Sequence, residues 1–594
     1  MSKTLLPEFE SVWACDFEFQ PRPGELPRPI CMVARELKSG RELRLWGDEL
    51  RSLKTAPFPV GPDALFVAYY APAEFSCFRA LNWELPRYCL DLFAEYRNQS
   101  NLHSERRPAG LINALTYHGL DSLGFDEKEA MRNLAIRGEP FKADEKAALL
   151  DYCASDVVAL EKLLPVMLPR IHLAQALHRG RYMKAVSAME GNGVPLDAVS
   201  LTTLKQYWAG IEEQLVARID KDFGVFEGKS FKSDRFEALL AARGLAWPRL
   251  ESGALMLDED TFREMVRAYP SLAPIKELRH ALSQLRLSGI ALGGDGRNRT
   301  SISAFRAATG RNQPSNAEFI FGPSCWIRGL IQPPPGFSVA YIDWCQQEFG
   351  IAAALSRDPK MLIAYESGDP YLAFAKQAGA VPPDGTKQDY KAVREQFKQC
   401  VLAVQYGMGA ESLSARIDQP KVQARHLLRL HRDTYPVFWR WSDSAVTHAM
   451  LMGQLQTVFG WTVHIGTKVN ERSLRNFPMQ ANGAEMLRLA CCLMVEAGIE
   501  VCAPVHDAVL IVAPSSEITD TVAAAKSLME RASAEVLGGF KLRADDKLIV
   551  HPERYMDERG VVMWETVWEI INELGKENVA QRDTGGVSHG DGTT

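Results

Sequence analysis

Between about residues 10 and 170, short apolar runs at 12–15, 64–68 and 88–92 alternate with stretches of helical period. That alternation predicts an α/β domain, closed by a helix over 142–168. A second amphipathic stretch, 173–190, stops at Asn192-Gly193 with Pro195 just beyond, a helix end followed by extended chain. From there to about Leu287 the pattern is almost purely helical. A glycine-rich and basic stretch, 293–299, reads as a linker into the largest region, which runs to about 570. Two apolar runs of strand length in that region each end in an acid, 339 to Asp343 and 501 to Asp507, the latter resuming to Val512, with a long helical block between them. After Lys576 the apolar period stops, and a run of Gly, Asp, Ser and Thr predicts a disordered tail. No internal repeat is visible.

At 594 residues the chain is too long for one hydrophobic core, so several domains are expected. With 46% apolar and 24% charged residues it has enough to bury, which excludes a disordered or fibrous protein. The 11 cysteines show no paired CxxC spacing, and the first residues lack a basic region followed by an apolar core, so a reduced, cytoplasmic protein is expected. The most apolar stretch, 487–514, is interrupted by Arg488, Glu496, Glu500, His506 and Asp507, which excludes a bilayer span and argues against a membrane partner. A net charge of −6 runs against a nucleic-acid partner, since phosphate binding is led by lysine and arginine. It does not decide the matter, because a basic cleft can sit on an acidic whole and carboxylates that hold divalent metals are themselves negative.

The first candidate chemistry lies near the N-terminus. Asp16 and Glu18 alternate with Cys15, Phe17 and Phe19 on a predicted strand, so both carboxylates project from one face and could share a metal ion. Such a triplet is also what an ordinary half-buried strand presents. In LLDYCASDVVAL, Tyr152 and Asp156 are four apart and share a helix face, where a solvated surface is the common alternative. The combination and order of these elements resemble the proofreading 3′ to 5′ exonucleases with four acidic residues and a tyrosine. The resemblance implies an RNase H-like fold, metal ligation by Asp16, Glu18 and Asp156, and a water oriented by Tyr152. The middle motif departs from the family, because Glu74 stands where the family has an aspartate.

The third region carries more. In YIDWCQQEFG, Asp343 ends an apolar strand and Glu348 follows five residues later. In REQFKQCVLAVQYG, Arg394, Lys398 and Leu402 step by four along one helical stripe, where two cations can meet a triphosphate, though an ordinary amphipathic helix shows the same stripe. In VCAPVHDAVLIVAP, His506-Asp507 occupies the bend of a strand-turn-strand. These segments, in order, resemble motifs A, B and C of DNA polymerase family A, the polymerase I type. The resemblance implies a right-hand α+β domain with an antiparallel palm sheet and helical fingers and thumb. It assigns both catalytic metals to Asp343 and Asp507, the sugar gate to Glu348, phosphate neutralisation to Arg394 and Lys398, and a place beside the templating base to Tyr406. Leu402 replaces the family's aromatic residue at the sugar, Tyr371 replaces a histidine that meets the triphosphate, and Ala508 replaces a glutamate after Asp507. Arg472, Asn476 and Gln480 resemble the minor-groove contacts of the segment ahead of motif C. Thr309-Gly310-Arg311 resembles a segment whose arginine touches the primer end, and Arg328 falls at a further substrate-side arginine. His506 belongs to the same DNA-facing set.

Taken together the expectation is an exonuclease-like domain over 1–172, a thumb and connection over 173–296, palm and fingers over 297–575, and a tail over 576–594. Implied cofactors are two Mg2+ per site, with Mn2+ as a substitute. Implied partners are primer-template DNA, dNTPs and a helicase or other replication protein, around a monomeric enzyme of the phage replicative kind acting in a bacterial cytoplasm. Three alternatives stay open: a phage-type RNA polymerase, against which Glu348 and the first domain argue; a nuclease whose C-terminal part only binds DNA, or a catalytically silent accessory subunit; and a polymerase whose first domain is only a scaffold.

Overall fold

The computed structural model describes residues 5–102, 107–121, 125–250, 252–284, 289–322, 324–467 and 469–584. The chain forms two compact units, one from residues 1–193, 299–314 and 336–548, the other from 194–298, 315–335 and 549 onward.

The first unit holds two sheets. Near the N-terminus β1 (Ser11–Gln20), β2 (Arg28–Glu36), β3 (Glu42–Trp46), β4 (Ala64–Ala68) and β5 (Tyr88–Asp91) lie in the order β3-β2-β1-β4-β5. β1 runs antiparallel to β2 and parallel to β4, and β4 runs parallel to β5. Residues 30–34 of β2 and all of β4 are buried, as strands covered on both faces must be. The Ala143–Met167 helix packs on β1 and β2, while the Leu173–Asn192 helix packs on β5. Gly180 makes the latter contact possible: a Cβ there would sit 1.9 Å from the carbonyl oxygen of Cys89. The same helix also packs on the second sheet and on the Glu471–Glu496 helix, so the two sheets share one support.

That second sheet comprises β6 (Phe337–Trp344), β7 (Glu500–Val505), β8 (Ala508–Pro514) and β9 (Ala544–Val550), in the order β7-β8-β6-β9. β8 is antiparallel to both β6 and β7. The helical block between β6 and β7 ends in the Glu471–Glu496 helix, whose second half is almost wholly buried.

In the second unit, the Ala198–Asp220, Ser233–Ala242, Glu259–Ala268, Ala273–Gln284 and Val561–Thr584 helices dominate. The stretch expected to be almost purely helical contains a small hairpin, Phe226–Glu227 with Ser230–Phe231. Its entry is fixed by the Asp220 carboxylate, which accepts from the backbone N–H groups of Val225 and Phe226 at 2.7 and 2.9 Å, and its turn by Gly228 at φ +56°. The expected linker is also ordered: Arg297–Asn298 pairs antiparallel with Val194–Pro195, and the buried Asn298 amide bonds the carbonyls of Ala291 and Glu318. The expected disordered tail begins as the last turns of the Val561–Thr584 helix. Residues 585–594 of that tail, and 285–288 of the helical stretch, lie outside the described residues.

Candidate active sites

In the first sheet, Asp16 and Glu18 sit on β1 and face the Ala143–Met167 helix, where the Cys153 thiol donates to the Asp16 carbonyl at 3.1 Å. Glu74 comes from the first turn of the Pro72–Ala80 helix and is buried, with Oε2 accepting from the Phe17 N–H at 3.0 Å. Asp156 forms an ion pair with Lys128 Nζ at 2.7 Å, and the same ammonium lies 5.7 Å from the Tyr152 ring centroid. Burial pushes the Asp16 carboxyl well above the ordinary carboxylate range, and the nearby Asp156 charge adds to the rise. Burial raises Glu18 as well, followed by repulsion from Asp16. Burial also raises Glu74, followed by repulsion from Asp16 and Glu18. Asp156 is raised by burial against the opposing pull of Lys128, and burial raises the Tyr152 phenol.

Five residues from three separate segments thus meet in one electrostatic neighbourhood. Among the described residues, no three Asp, Glu, His or Cys side chains converge closely enough to hold a metal ion unaided. The donor set nevertheless suits a divalent cation, because four carboxylates crowd together and Asp16 Oδ2 is buried with no hydrogen-bond partner. Lys128 carried no signal in the sequence that set it apart from other helical lysines.

The second site lies where β6 meets the β7–β8 turn. Asp343 is in register with Ala508, so Asp507, one residue earlier, sits beside it, and the Trp344 N–H reaches the Asp507 carbonyl at 3.5 Å. His506 turns the chain at φ +58°. Burial, then repulsion from Asp507, raises the Asp343 carboxyl to about 7, with Asp545 on β9 adding to the rise. Burial raises Asp507 too, opposed by a backbone hydrogen bond, Arg311 and His506. Asp343 Oδ1 is buried without a hydrogen-bond partner. Two facing carboxylates that repel each other, one with an orphaned oxygen, fit a divalent cation as their missing partner. Asp545 escaped the sequence reading because β9 is mostly exposed and its ADDKLIV pattern is not that of a core strand.

Glu348 opens the Gln347–Ser356 helix just after Gln346, whose left-handed backbone (φ +46°) swings the chain off the end of β6. Its Oε1 lies 3.8 Å from Arg311 Nη2. Burial raises Glu348, Arg311 opposes the rise and Asp507 adds to it, so Arg311, Glu348 and Asp507 form one cluster. Tyr406 ends the Lys391–Gln405 helix half exposed; burial raises its phenol, and the Glu348 charge adds to that, which brings it to the same cluster.

Along the Lys391–Gln405 helix, Phe397, Cys400, Val401, Ala403 and Val404 are buried, while Arg394, Lys398 and Leu402 line a more open side. Arg394 Nε donates to Asp369 at 2.5 Å, and its guanidinium lies 5.4 Å from the centroid of the Tyr371 ring. Asp369 in turn caps the Pro370–Gln377 helix that carries Tyr371. Burial pushes the Tyr371 phenol up to about 12, against the pull of Arg394. Lys398 is the looser cation, 3.8 Å from Glu395 on a solvent-facing turn.

Arg472, Asn476 and Gln480 share one stripe of the Glu471–Glu496 helix, which Asn470 caps. Asn476 Oδ1 is buried without a hydrogen-bond partner, an acceptor available to a ligand donor. Gly407 (φ +61°) packs against this stripe, where a Cβ would meet Arg472 Cβ at 2.9 Å. Arg328 lies in the other unit, held by Asp557 at 2.7 Å and by the Phe321 carbonyl at 3.3 Å.

Against known proteins, the family model described as DNA polymerase family A matches residues 246–544. DNA polymerase I of Chloroflexus aurantiacus is 25% identical over 404 residues, 62% of this chain and 42% of that protein. The thermostable DNA polymerase I of Thermus thermophilus is 25% identical over 380 residues, 59% and 45% of the two chains. The DNA polymerase of Mycobacterium phage L5 is 24% identical over 387 residues, 64% and 63% of the two chains. The chain therefore matches less than half the length of these bacterial relatives. The solved POL domain of Pol1 from M. smegmatis, in complex with DNA primer-template and dNTP, shares the fold at a TM-score of 0.69, covering 90% of this chain and 94% of that one at 18% identity.

Proposed function

Because the chain belongs to DNA polymerase family A, we propose that it is a DNA-templated DNA polymerase that adds dNTPs to a primer 3′ end by phosphoryl transfer. The observation that carries this is the facing pair Asp343 and Asp507 at the ends of paired strands, each raised by burial and Asp343 by Asp507. When bound there, two magnesium ions, or manganese in their place, would activate the primer hydroxyl and neutralise charge on the nucleotide phosphates. Asp343, near the end of β6, and Asp507, in the β7–β8 turn beside it, would hold those ions between paired strands. Lys398, loosely paired, is free to reach a triphosphate as charge builds on the departing diphosphate, while Arg394, fixed by Asp369 beside Tyr371, offers a preset cationic surface. Glu348 and Tyr406 border the sugar and template side next to Arg311, with Leu402 toward the sugar. Arg472, Asn476, Gln480, His506 and Arg328 are proposed DNA contacts.

For the N-terminal domain we propose an RNase H-like 3′ to 5′ exonuclease, with Asp16, Glu18, Glu74 and Asp156 as metal ligands and Tyr152 beside the attacking water. A second reading, a scaffold without nuclease activity, is favoured by two observations: Lys128 already pairs with Asp156, and one Glu74 oxygen is taken by the Phe17 N–H. The proposed setting is replication of phage or bacterial DNA in the cytoplasm, as a monomer on primer-template DNA beside a helicase. The domain reading is 1–172 for the exonuclease, 173–296 for the thumb and connection, and 297–575 for palm and fingers.

Primer extension by the Asp343→Asn and Asp507→Asn chains tests the polymerase reading. Loss of nucleotide addition with primer-template affinity retained is the expected result, and near-normal extension by either variant would remove the pair from the chemistry.

A further inference from the structure

The segment 299–314, which ends in the Arg311 turn, does not specify its own shape. Ser303 and Phe305 are non-glycine residues at φ +50° and +57°, and Gly310 is at +73°. Left-handed backbone at two such residues persists only where the surroundings over-determine it. Those surroundings come from both halves of the first unit. From the N-terminal domain, Arg97 donates to the carbonyls of Phe305 and Arg306 at 3.3 and 2.9 Å, and the Asn101 amide donates to the Ala308 carbonyl at 2.8 Å. Glu190, on the shared Leu173–Asn192 helix, accepts from the Ile302 N–H at 2.6 Å.

From the other side, Trp461 Nε1 donates to the same Ala308 carbonyl at 2.9 Å, and its ring stacks on Phe305 with centroids 5.2 Å apart. Arg488, paired with Glu485 at 2.8 Å in the buried half of the Glu471–Glu496 helix, donates to the Gly310 carbonyl at 2.6 Å and lies 4.8 Å from the Phe305 ring centroid. Asn101 closes the circuit, since its amide also donates to the Thr462 carbonyl at 2.8 Å. Arg311, the next residue after Gly310, is the one that faces Glu348 and Asp507.

We propose that Arg97 and Asn101 of the N-terminal domain are positioning residues of the polymerase site: they lock the 299–314 segment so that Arg311 meets the Glu348–Asp507 cluster. The N-terminal domain thereby serves nucleotide addition whether or not it cuts DNA. This rests on the polymerase reading above. The bonds run from side-chain donors to backbone carbonyls about two hundred residues away, so they fix the path of the segment whatever side chains it carries.

The test is rapid-quench addition of one dNTP to a labelled primer-template by the full-length chain with magnesium. Asn101→Ala and Arg97→Lys are expected to slow incorporation by about 10-fold or more while leaving primer-template affinity unchanged, because a misplaced arginine costs orientation rather than binding. The Asn101→Ala/Arg311→Ala chain should extend no more slowly than Arg311→Ala alone, because Asn101 acts through Arg311. Amide hydrogen exchange over 303–311 should quicken in Asn101→Ala, a readout that needs no activity. A wild-type chain that extends primers, with both variants at its rate, overturns this inference alone. So do unchanged exchange over 303–311 and penalties that multiply in the double variant. A wild-type chain that does not extend primers overturns the polymerase reading and this inference with it.

Discussion

The two carboxylate sites of this chain differ in what already neutralises them. On the N-terminal sheet an ammonium of the protein itself, Lys128, pairs with Asp156 at 2.7 Å, and a backbone N–H holds one oxygen of Glu74. On the second sheet Arg311 sits 3.8 Å from Glu348 and opposes the rise of Asp507, and Asp343, like Asp16, retains a buried oxygen without a hydrogen-bond partner. Burial raises both sets for the same reason, the cost of charge away from water. They differ in how much of that cost the protein offsets internally, and an acid left uncompensated is the better receptor for a divalent ion. Both sets keep one buried carboxylate oxygen without a hydrogen-bond partner, Asp16 Oδ2 and Asp343 Oδ1, but on the N-terminal sheet a divalent ion that reached Asp156 would also have to displace Lys128.

The largest expected effect tests whether the two sites are independent. Asp16→Asn with Glu18→Gln should slow primer shortening by at least about 10²-fold while primer extension stays at the wild-type rate; a parallel fall in extension would tie the sites together. Next, Glu348→Ala should let ribonucleotides be incorporated, read as the ratio of rNTP to dNTP incorporation, and unchanged selectivity would remove Glu348 from the sugar gate. A smaller effect is expected from Lys128→Ala, which frees Asp156: the magnesium concentration that half-saturates shortening should drop a few-fold, whereas a rise would make Lys128 part of the nuclease chemistry. The smallest is a matter of stability. Since the folded Asp343 carboxyl is raised to about 7 from an ordinary 3.8, the folded chain holds a proton that the unfolded chain releases, so in EDTA the melting temperature should fall as pH rises between these values. Asp343→Asn should flatten that slope, and an unaltered slope would assign it elsewhere.

Much of the second sheet was legible because β6 and β7 are apolar runs that lead into acids, so pattern and chemistry fell on the same residues. The helix 143–167 was bounded to within a residue at each end, as its period is long and regular. β2, like β4, is buried on both faces and lacks alternation, and it went unread although its apolar run, 30–34, is as long as that of β4. β9 was hidden for another reason, since most of its positions are exposed and three charged residues in a row break its apolar pattern. The stretch 293–299 reads as a linker by composition, and only the distant pairing with Val194–Pro195 makes it a strand. The site residues that were missed, Lys128, Asp545, Arg97 and Asn101, act through contacts far apart in sequence, which no local pattern encodes. Arg488 did leave a trace, as a charge inside a long apolar run three residues from Glu485, the spacing of a buried helical pair.

The most direct test of the account is a single gel: the wild-type chain with a labelled primer on a longer template and magnesium, run with and without the four dNTPs. The account predicts extension when dNTPs are present and shortening when they are absent. Failure to extend with all four dNTPs and either magnesium or manganese present would contradict it.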